Sequence, residues 1–211
     1  KADDPSALHY NPAGMTQLHG VEFMAGILLS GGTTSFTSPT GQTATGDRNG
    51  SVAWPPPGHM YLTANLKDLG VTALGDLTIG IGLTVPFGSI TRWPNDGPFR
   101  PVTTFNTLPL LDIKPTVAYR VTKDLSLGLG ADIYTFSGLF GEGQVERKFV
   151  WPGGSGIPAG SQMELFGSDT AAGFNVSLLY TALRNADDKP VANIGIVYRS
   201  QATLHLNGGL L

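Results

Sequence analysis

Leu77-Thr78-Ile79-Gly80-Ile81-Gly82-Leu83-Thr84-Val85 alternates strictly between large aliphatic residues at odd positions and threonine or glycine at even positions. A period of two places the aliphatic side chains on one face of a β-strand and the small or polar groups on the other. The segments 116–122 and 125–133 repeat this pattern, as does 194–199. The pattern predicts strands with one apolar face and one face of small and polar residues.

We predict seven strands of this kind. Their approximate bounds are 21–30, 58–67, 75–87, 109–122, 124–137, 171–184 and 190–206. Their lengths are compatible with the ~9–11 residues that a tilted strand needs to cross a bilayer. The sequence thus predicts an all-β, antiparallel transmembrane barrel.

The connections between these strands alternate in length. The long ones run over about 31–57, 88–108 and 138–170, and short ones lie between them. Outer-membrane barrels have short turns on one side of the membrane and long loops on the other. A secreted soluble β-protein would account for the alternating strands but not for this order of loops. Within the third long connection, we expect residues 161–167 to form one or two helical turns.

Composition excludes several function classes. Of 211 residues, 29 are glycine, 14% are charged and none is cysteine. The absence of cysteine excludes disulfides and thiol nucleophiles. The net charge of −3 and the absence of a Lys/Arg block argue against a nucleic-acid partner. There is no Gly-x-Ser-x-Gly or His-Glu-x-x-His motif, and the four histidines are scattered. We therefore expect no enzyme activity, no cofactor and no metal site.

The ends of the chain differ from its middle. Residues 1–19 carry no strand pattern, and we expect turns and a short helix there. Single-chain bacterial barrels have an even number of strands, and an open barrel edge is not tolerated in lipid. Seven strands are an odd number, so we expect this chain to be a fragment whose remaining strands follow at its C-terminal side.

Four motifs carry a family resemblance. The stretch Asp3-Asp4-Pro5-Ser6-Ala7-Leu8-His9-Tyr10-Asn11-Pro12-Ala13-Gly14-Met15 resembles the N-terminal signature of the FadL/TodX family. Residues 85–93, 114–130 and 197–200 resemble later strands of that family, in the same order. Its members are outer-membrane transporters of long-chain fatty acids and other hydrophobic compounds in Gram-negative bacteria.

The resemblance implies a fourteen-stranded barrel whose lumen is closed by an N-terminal hatch. Residues 1–19 would be a truncated hatch, and residues 20–211 would be the N-terminal half of the barrel. Asn11, Pro12, Ala13 and Gly14 would shape the hatch, since Asn favours turns, Pro restricts φ and Gly permits positive φ. Three charged residues on polar strand faces, Arg120, Asp132 and Arg199, are expected to face the lumen and to tie the hatch to the wall.

Two ligand sites follow from the resemblance. Gly88 would mark an inward kink beside a lateral exit, with Phe87 lining it; alternatively, Pro86 simply ends the strand. Arg147, in Val145-Glu146-Arg147-Lys148-Phe149, would contact a ligand head group. Here Lys148 could take that role, or Arg147 could pair with Glu146 in a solvated loop.

The expected partners are a fatty acid or another hydrophobic small molecule, outer-membrane lipid and lipopolysaccharide. We expect the complete protein to be a monomer. The alternatives are an aromatic hydrocarbon channel and a general porin or structural barrel. A porin would require opposed rings of charge in its lumen, whereas the inward positions here are mostly Gly, Thr and Ser.

Overall fold

The computed structural model describes residues 3–46, 57–86, 90–138 and 142–211. One α-helix, α1, spans Ala7–Tyr10, and 3₁₀ helices span Pro12–Gln17 and Thr72–Leu74. The strands are β1 (Val21–Ile27), β2 (Thr34–Thr37), β3 (Thr43–Gly46), β4 (Gly58–Asn65), β5 (Leu77–Thr84), β6 (Ile90–Arg92), β7 (Phe105–Thr107), β8 (Leu110–Arg120), β9 (Leu125–Phe136), β10 (Val145–Val150), β11 (Gln162–Ser168), β12 (Thr170–Arg184), β13 (Pro190–Arg199) and β14 (Asn207–Leu210). No helix in the described part of the chain is long and apolar enough to cross a membrane.

The largest sheet has seven strands in the order β1-β4-β5-β8-β9-β12-β13. All its neighbouring strands pair antiparallel, and the sheet curls into a half-barrel. These are the seven strands that the alternating pattern predicts, so the predicted fold class is confirmed. The alternation of short and long connections holds as well. The seventh strand ends at Arg199 rather than near residue 206.

The long connections contain strands of their own. β2 and β3 form a hairpin within the first long connection. A second sheet has the order β14-β11-β10-β7-β6; its strands come from the other two long connections, except β14, which follows β13. The prediction of helical turns at 161–167 is wrong, because Gln162–Ser168 is β11. Its backbone groups pair with β10 on one side and β14 on the other. Such a short segment carries too little periodicity to distinguish a strand from a helix, and pairing with both neighbours decides for the strand.

The two faces of the seven-stranded sheet differ in chemistry, as the period of two requires. On β9, Leu127 and Leu129 are exposed on the convex face, while Ser126, Gly128 and Asp132 are buried on the concave face. The aliphatic residues of β5 behave likewise, and Ile81 is 52% exposed. An apolar surface that covers a whole sheet face is unusual for a water-soluble domain and suits contact with lipid.

The N-terminal segment, residues 3–19, packs on the concave face. Its apolar residues form a small core with two residues of the sheet, one from β4 and one from β8. This core consists of Ala7, Leu8, Met15 and Leu18 with Tyr61 and Ala118. As predicted, the segment consists of turns and short helices without a strand.

A buried ionic network also lies on the concave face. The Lys114 side chain is fully buried, and its Nζ donates to Asp132 and forms an ion pair with Asp112. The Asn175 Nδ2 donates to Asp132 Oδ2 at 2.9 Å, and Arg199 Nη1 lies 3.8 Å from Asp132 Oδ1. Removing one partner from such a network leaves an uncompensated buried charge, which costs far more than breaking a surface ion pair.

We predict that Lys114→Met lowers the free energy of unfolding by ~3–5 kcal/mol, because two buried carboxylates lose their shared cation. The exposed Lys67, 3.8 Å from Asp76, is the matched control, and Lys67→Met should cost less than about 1 kcal/mol. Urea unfolding of the whole protein in detergent, followed by tryptophan fluorescence, measures both. Adding Asp112→Asn to Lys114→Met should restore part of the loss. Equal costs for the two lysine variants would contradict the network's role.

Candidate functional site: the concave face and the N-terminal segment

Glycines on the concave face allow the N-terminal segment to approach the sheet closely. A Cβ added at Gly80 would lie 2.7 Å from Leu8 Cδ1, and one at Gly82 would lie 2.7 Å from Leu8 Cδ2. A Cβ at Gly128 would lie 2.5 Å from the backbone nitrogen of Ala13. The contact at Gly128 is with backbone, so this position requires glycine for the observed packing, whereas a side chain at Gly80 or Gly82 would displace the Leu8 side chain.

Hydrogen bonds join the segment to β12 and β9. Ala13 N donates to Ser177 Oγ at 2.9 Å, and Asn11 Nδ2 donates to the Leu178 carbonyl at 3.2 Å. The hydroxyl oxygens of Thr16 and Ser126 lie 2.7 Å apart. These contacts are hydrogen bonds between individual polar atoms. They fix the position of the segment on the sheet, and no large apolar core is needed for that.

The predicted hatch motif occupies the centre of this contact. Asn11, Pro12, Ala13 and Gly14 are all buried against the sheet. Asn11 caps the 3₁₀ helix, since its Oδ1 accepts from Ala13 N at 3.2 Å, and Pro12 is the first helical residue. A Cβ at Gly195 on β13 would lie 2.7 Å from Asn11 Nδ2. The motif therefore contacts the sheet through side chains and backbone together.

Two arginines of the sheet hold backbone carbonyls of the segment. Arg120 Nη2 donates to the Thr16 carbonyl, and Arg199 Nη2 donates to the His9 carbonyl. Each arginine lies near a carboxylate: Arg120 Nε is 3.4 Å from Asp76, and Arg199 is beside Asp132. Arg120, Asp132 and Arg199 thus all lie on the concave face and contact the segment or its anchors.

Sequence reasoning missed the other members of these networks. Asp112 and Lys114 share the parity of Thr116, so the period of two already placed them on the polar face. Asn65 donates to the Leu18 carbonyl and to Asp76, both at 3.3 Å. Its partners are distant in the chain, and no local pattern indicated them.

The residues around Arg147 belong to the second sheet. A cavity of about 640 Å³ there, the outer cavity, is lined by Lys148, Glu146 and Glu164 among others. Lys148 Nζ lies 3.0 Å from Glu164 and 3.6 Å from Glu146. Arg147 points away from these groups, as strand alternation requires, and its Nε donates to the Val102 carbonyl at 3.0 Å. Lys148, rather than Arg147, lines this cavity.

Charged side chains line the outer cavity and determine which ligands it can bind. The hydrogen bond to Glu164 raises the pKa of Lys148, partly opposed by burial, so this lysine is charged at neutral pH. Burial and the nearby Glu142 raise the pKa of Glu146. Arg92 also lines the cavity, with its Cζ 5.3 Å from the centroid of the Phe105 ring. The cavity therefore combines aromatic surface with charges of both signs.

A second cleft, the α1 cleft, lies between α1 and the ends of β4 and β5. It measures about 410 Å³ and is lined by Ile27, Leu28, Pro57, Gly58, His59, Tyr61, Thr84, Val85 and Pro86 of the sheet side and by His9 and Tyr10 of α1. The His59 and Tyr61 rings stack with centroids 5.3 Å apart. Burial, followed by the charges of Lys114 and Arg199, lowers the pKa of His9 to about 4, so its imidazole is neutral at pH 7. The predicted kink residues Phe87 and Gly88 lie outside the described residues.

Comparison with known proteins identifies the family to which the chain belongs. The family model described as outer membrane protein transport protein (OMPP1/FadL/TodX) matches residues 1–210. The crystal structure of a Pseudomonas aeruginosa FadL homologue superposes with a TM-score of 0.57 at 18% identity, over 94% of this chain and 47% of that one. A protein of Neisseria meningitidis serogroup B, described as an outer membrane protein, is 32% identical over 106 residues, which is 47% of this chain and 21% of that protein.

The chain thus spans about half the length of the solved structure and about a fifth of the Neisseria protein. The family resemblance carried by residues 3–15, 85–93, 114–130 and 197–200 is confirmed by a match that runs over nearly the whole chain. The half-barrel fold agrees with the solved relative. This chain belongs to the OMPP1/FadL/TodX family of outer membrane transport proteins, and its location is the outer membrane of a Gram-negative bacterium.

Proposed function

We propose that this chain is part of a transporter that takes up hydrophobic compounds, long-chain fatty acids in particular, across the outer membrane. Residues 1–19 act as a hatch in the barrel lumen, and residues 20–211 form the N-terminal half of the barrel. The observation that carries the proposal is the docking of the N-terminal segment on a glycine-lined concave face. A segment held there obstructs the lumen and must move for a ligand to pass.

The strength of the contact is compatible with such a movement. Each neutral hydrogen bond between segment and sheet contributes ~0.5–1.5 kcal/mol net, and each of the bonds from Arg120 and Arg199 contributes ~1.5–3 kcal/mol. A ligand that buries a few CH₂ groups in the lumen gains a similar amount, since each is worth ~0.8 kcal/mol. Ligand binding can therefore offset the loss of several segment contacts. Arg120 and Arg199, with Asp132, act in this proposal as the tethers between hatch and wall.

The proposed path leaves the barrel sideways, through a kink at Gly88 with Phe87 beside it. A dry route into the membrane avoids exposing an apolar molecule to water. Support comes from β5, whose last backbone hydrogen bond to β4 joins Val85 N to Gly58 O, one residue before Pro86. Proline cannot donate to a ladder, so the strand is free to leave its neighbours there. Pro86 also lines the α1 cleft, which would connect the lumen to this point.

We assign the head group of a fatty acid to Arg147, because a guanidinium can bind a carboxylate through two hydrogen bonds. The competing assignment is Lys148, which lines the outer cavity but lies near Glu146 and Glu164. Outer-membrane lipid and lipopolysaccharide surround the barrel in this proposal, and the complete protein acts as a monomer.

An aromatic hydrocarbon channel is the second candidate. It is favoured by the α1 cleft: among the described residues that line it are histidine and tyrosine rings but no lysine or arginine. A general porin fits less well, because the N-terminal segment covers the concave face that a porin would leave open to water.

Replacing Gly88 by leucine should lower the uptake of a radiolabelled fatty acid by cells at least fivefold, because a side chain at the kink narrows the exit. The barrel should still fold, as judged by heat-modifiable migration in gels. Gly138→Leu is the matched control, since a Cβ at Gly138 meets nothing within 4 Å. Unchanged uptake by the Gly88 variant would exclude the lateral exit at this point.

For Arg147→Ala we expect the affinity for dodecanoate to fall about tenfold, as for the loss of a charged hydrogen bond of ~1.5 kcal/mol. The affinity for 1-dodecanol should not change. Titration of the whole purified protein with both ligands, beside the Lys148→Ala variant, measures this. If only the lysine variant loses affinity for the carboxylate, the head-group role moves to Lys148.

A further inference from the structure

The turn between β4 and β5, residues 66–76, exposes three aliphatic side chains. Leu69, Val71 and Leu74 are 51%, 43% and 52% exposed, which is similar to the exposure of aliphatic residues on the convex face, such as Ile81 at 52%. A turn that faces water is usually built from Gly, Pro, Asn, Asp and Ser. The three large aliphatic residues of the β4–β5 turn therefore indicate that it does not face water alone.

The other two short connections of the large sheet differ from this turn. Residues 185–189, between β12 and β13, contain no large apolar side chain. Residues 121–124, between β8 and β9, contain one, Val121, which continues the convex face of β8. Short turns of outer-membrane barrels lie on the periplasmic side. The three connections therefore meet the same surface of the membrane, and the β4–β5 turn meets it with the most apolar side chains.

The polar residues of the β4–β5 turn are held on the side of the N-terminal segment. Asp68 Oδ2 accepts a hydrogen bond from Gly20 N at 2.9 Å and lies 3.1 Å from His19 Nδ1. Asp76 Oδ2 lies 3.4 Å from Arg120 Nε on the concave face. The turn thus has a polar side, which is fixed to the segment and to the concave face, and an apolar side that remains exposed.

The turn is continuous with the lipid-facing surface of the sheet. A Cβ added at Gly75 would lie 2.9 Å from the hydroxyl oxygen of Tyr119, so the turn passes close to the end of this side chain. Tyr119 is 44% exposed on the convex face and is the last residue but one of β8. Tyr180 has the corresponding place on β12, opposite Leu125 at the start of β9. Tyrosines are enriched where a membrane meets water, so this pair indicates the level of the head groups.

We propose that the β4–β5 turn is a lipid-binding site, whose three aliphatic side chains insert among the phospholipids of the periplasmic leaflet. Amphipathic segments that lie in this boundary bury their apolar side about 5–10 Å into it. The contact between Gly75 and Tyr119 places the turn at the same boundary. Because Asp68 holds Gly20, the turn also fixes the end of the N-terminal segment relative to the membrane surface. This role is independent of which compound the protein transports.

Fluorescence quenching of a probe on the turn tests this proposal. The variants Leu69→Cys and Leu74→Cys each place one thiol in these 211 residues, which contain no other. Each is labelled with nitrobenzoxadiazole in the whole protein and reconstituted into vesicles of phosphatidylethanolamine and phosphatidylglycerol. Part of the lipid carries a doxyl quencher near the head-group end of its acyl chains. Ala186→Cys is the matched control, because it is exposed in the polar β12–β13 turn on the same side of the sheet. Heat-modifiable migration in gels shows that each labelled variant is folded.

We expect the doxyl lipid to quench the probe at positions 69 and 74 about threefold more strongly than at position 186, as for side chains buried at the head-group boundary. Iodide in the aqueous phase should quench in the opposite order. Equal quenching at all three positions would overturn the proposal, because the turn would then face water. Protection from iodide without quenching by the doxyl lipid would also overturn it, and would indicate that a protein partner or a second copy covers the turn.

Discussion

The close approach of a short N-terminal segment to a curved sheet organises the rest of the structure. Gly128 has no side chain, and only for that reason can the Ala13 backbone lie where it does; the absence of a side chain at Gly80 leaves room for the Leu8 side chain. The aliphatic side chains of the same strands point to the convex face, which can therefore contact lipid. The small and polar residues of these strands lie on the concave face, where the segment packs. One alternating pattern therefore produces both the membrane-facing and the segment-facing surfaces.

The concave face holds the segment mainly through polar contacts. Arg199 links the His9 carbonyl to Asp132, which in turn is held by Lys114 and Asn175. Such a network is geometrically demanding, since each member loses its partners if another moves. It positions the segment in one orientation, whereas the small apolar core around Leu8 and Met15 supplies modest cohesion. Under the proposed function, the segment would have to leave this orientation for a ligand to pass and then return to it.

Sequence patterns predicted the large sheet because most of its strands are long and periodic, although β12 and β13 alternate less regularly. The alternation in 77–85 and 125–133 fixes register and face together, so a slip by one residue would turn every aliphatic side chain inward. The same reasoning failed for 162–168, which is short and becomes a strand through pairing with β10 and β14.

The site was predictable in part for the same physical reason. The two-residue period of a strand placed Arg120, Asp132 and Arg199 on the polar face. The same period would also have placed Lys114 there. Parity also separates Arg147 from Lys148, which point to opposite sides of β10. In contrast, the partners Asn65, Asp76 and His9 come together only through the fold, and no local pattern in the sequence indicates which carbonyl an arginine will reach.

Displacement of the N-terminal segment during transport is the central claim, and a reversible cross-link tests it most directly. The Thr16 and Ser126 hydroxyl oxygens are in hydrogen-bond contact, 2.7 Å apart, so sulfurs at these two positions would need a further approach to reach the ~2.05 Å of a disulfide bond. Because these 211 residues contain no cysteine, the two thiols of a Thr16→Cys/Ser126→Cys variant have no other thiol among them to pair with. Uptake of a labelled fatty acid by cells should stop on oxidation and recover on reduction, with each single-cysteine variant unaffected. Full uptake by the oxidised, cross-linked protein would contradict the account.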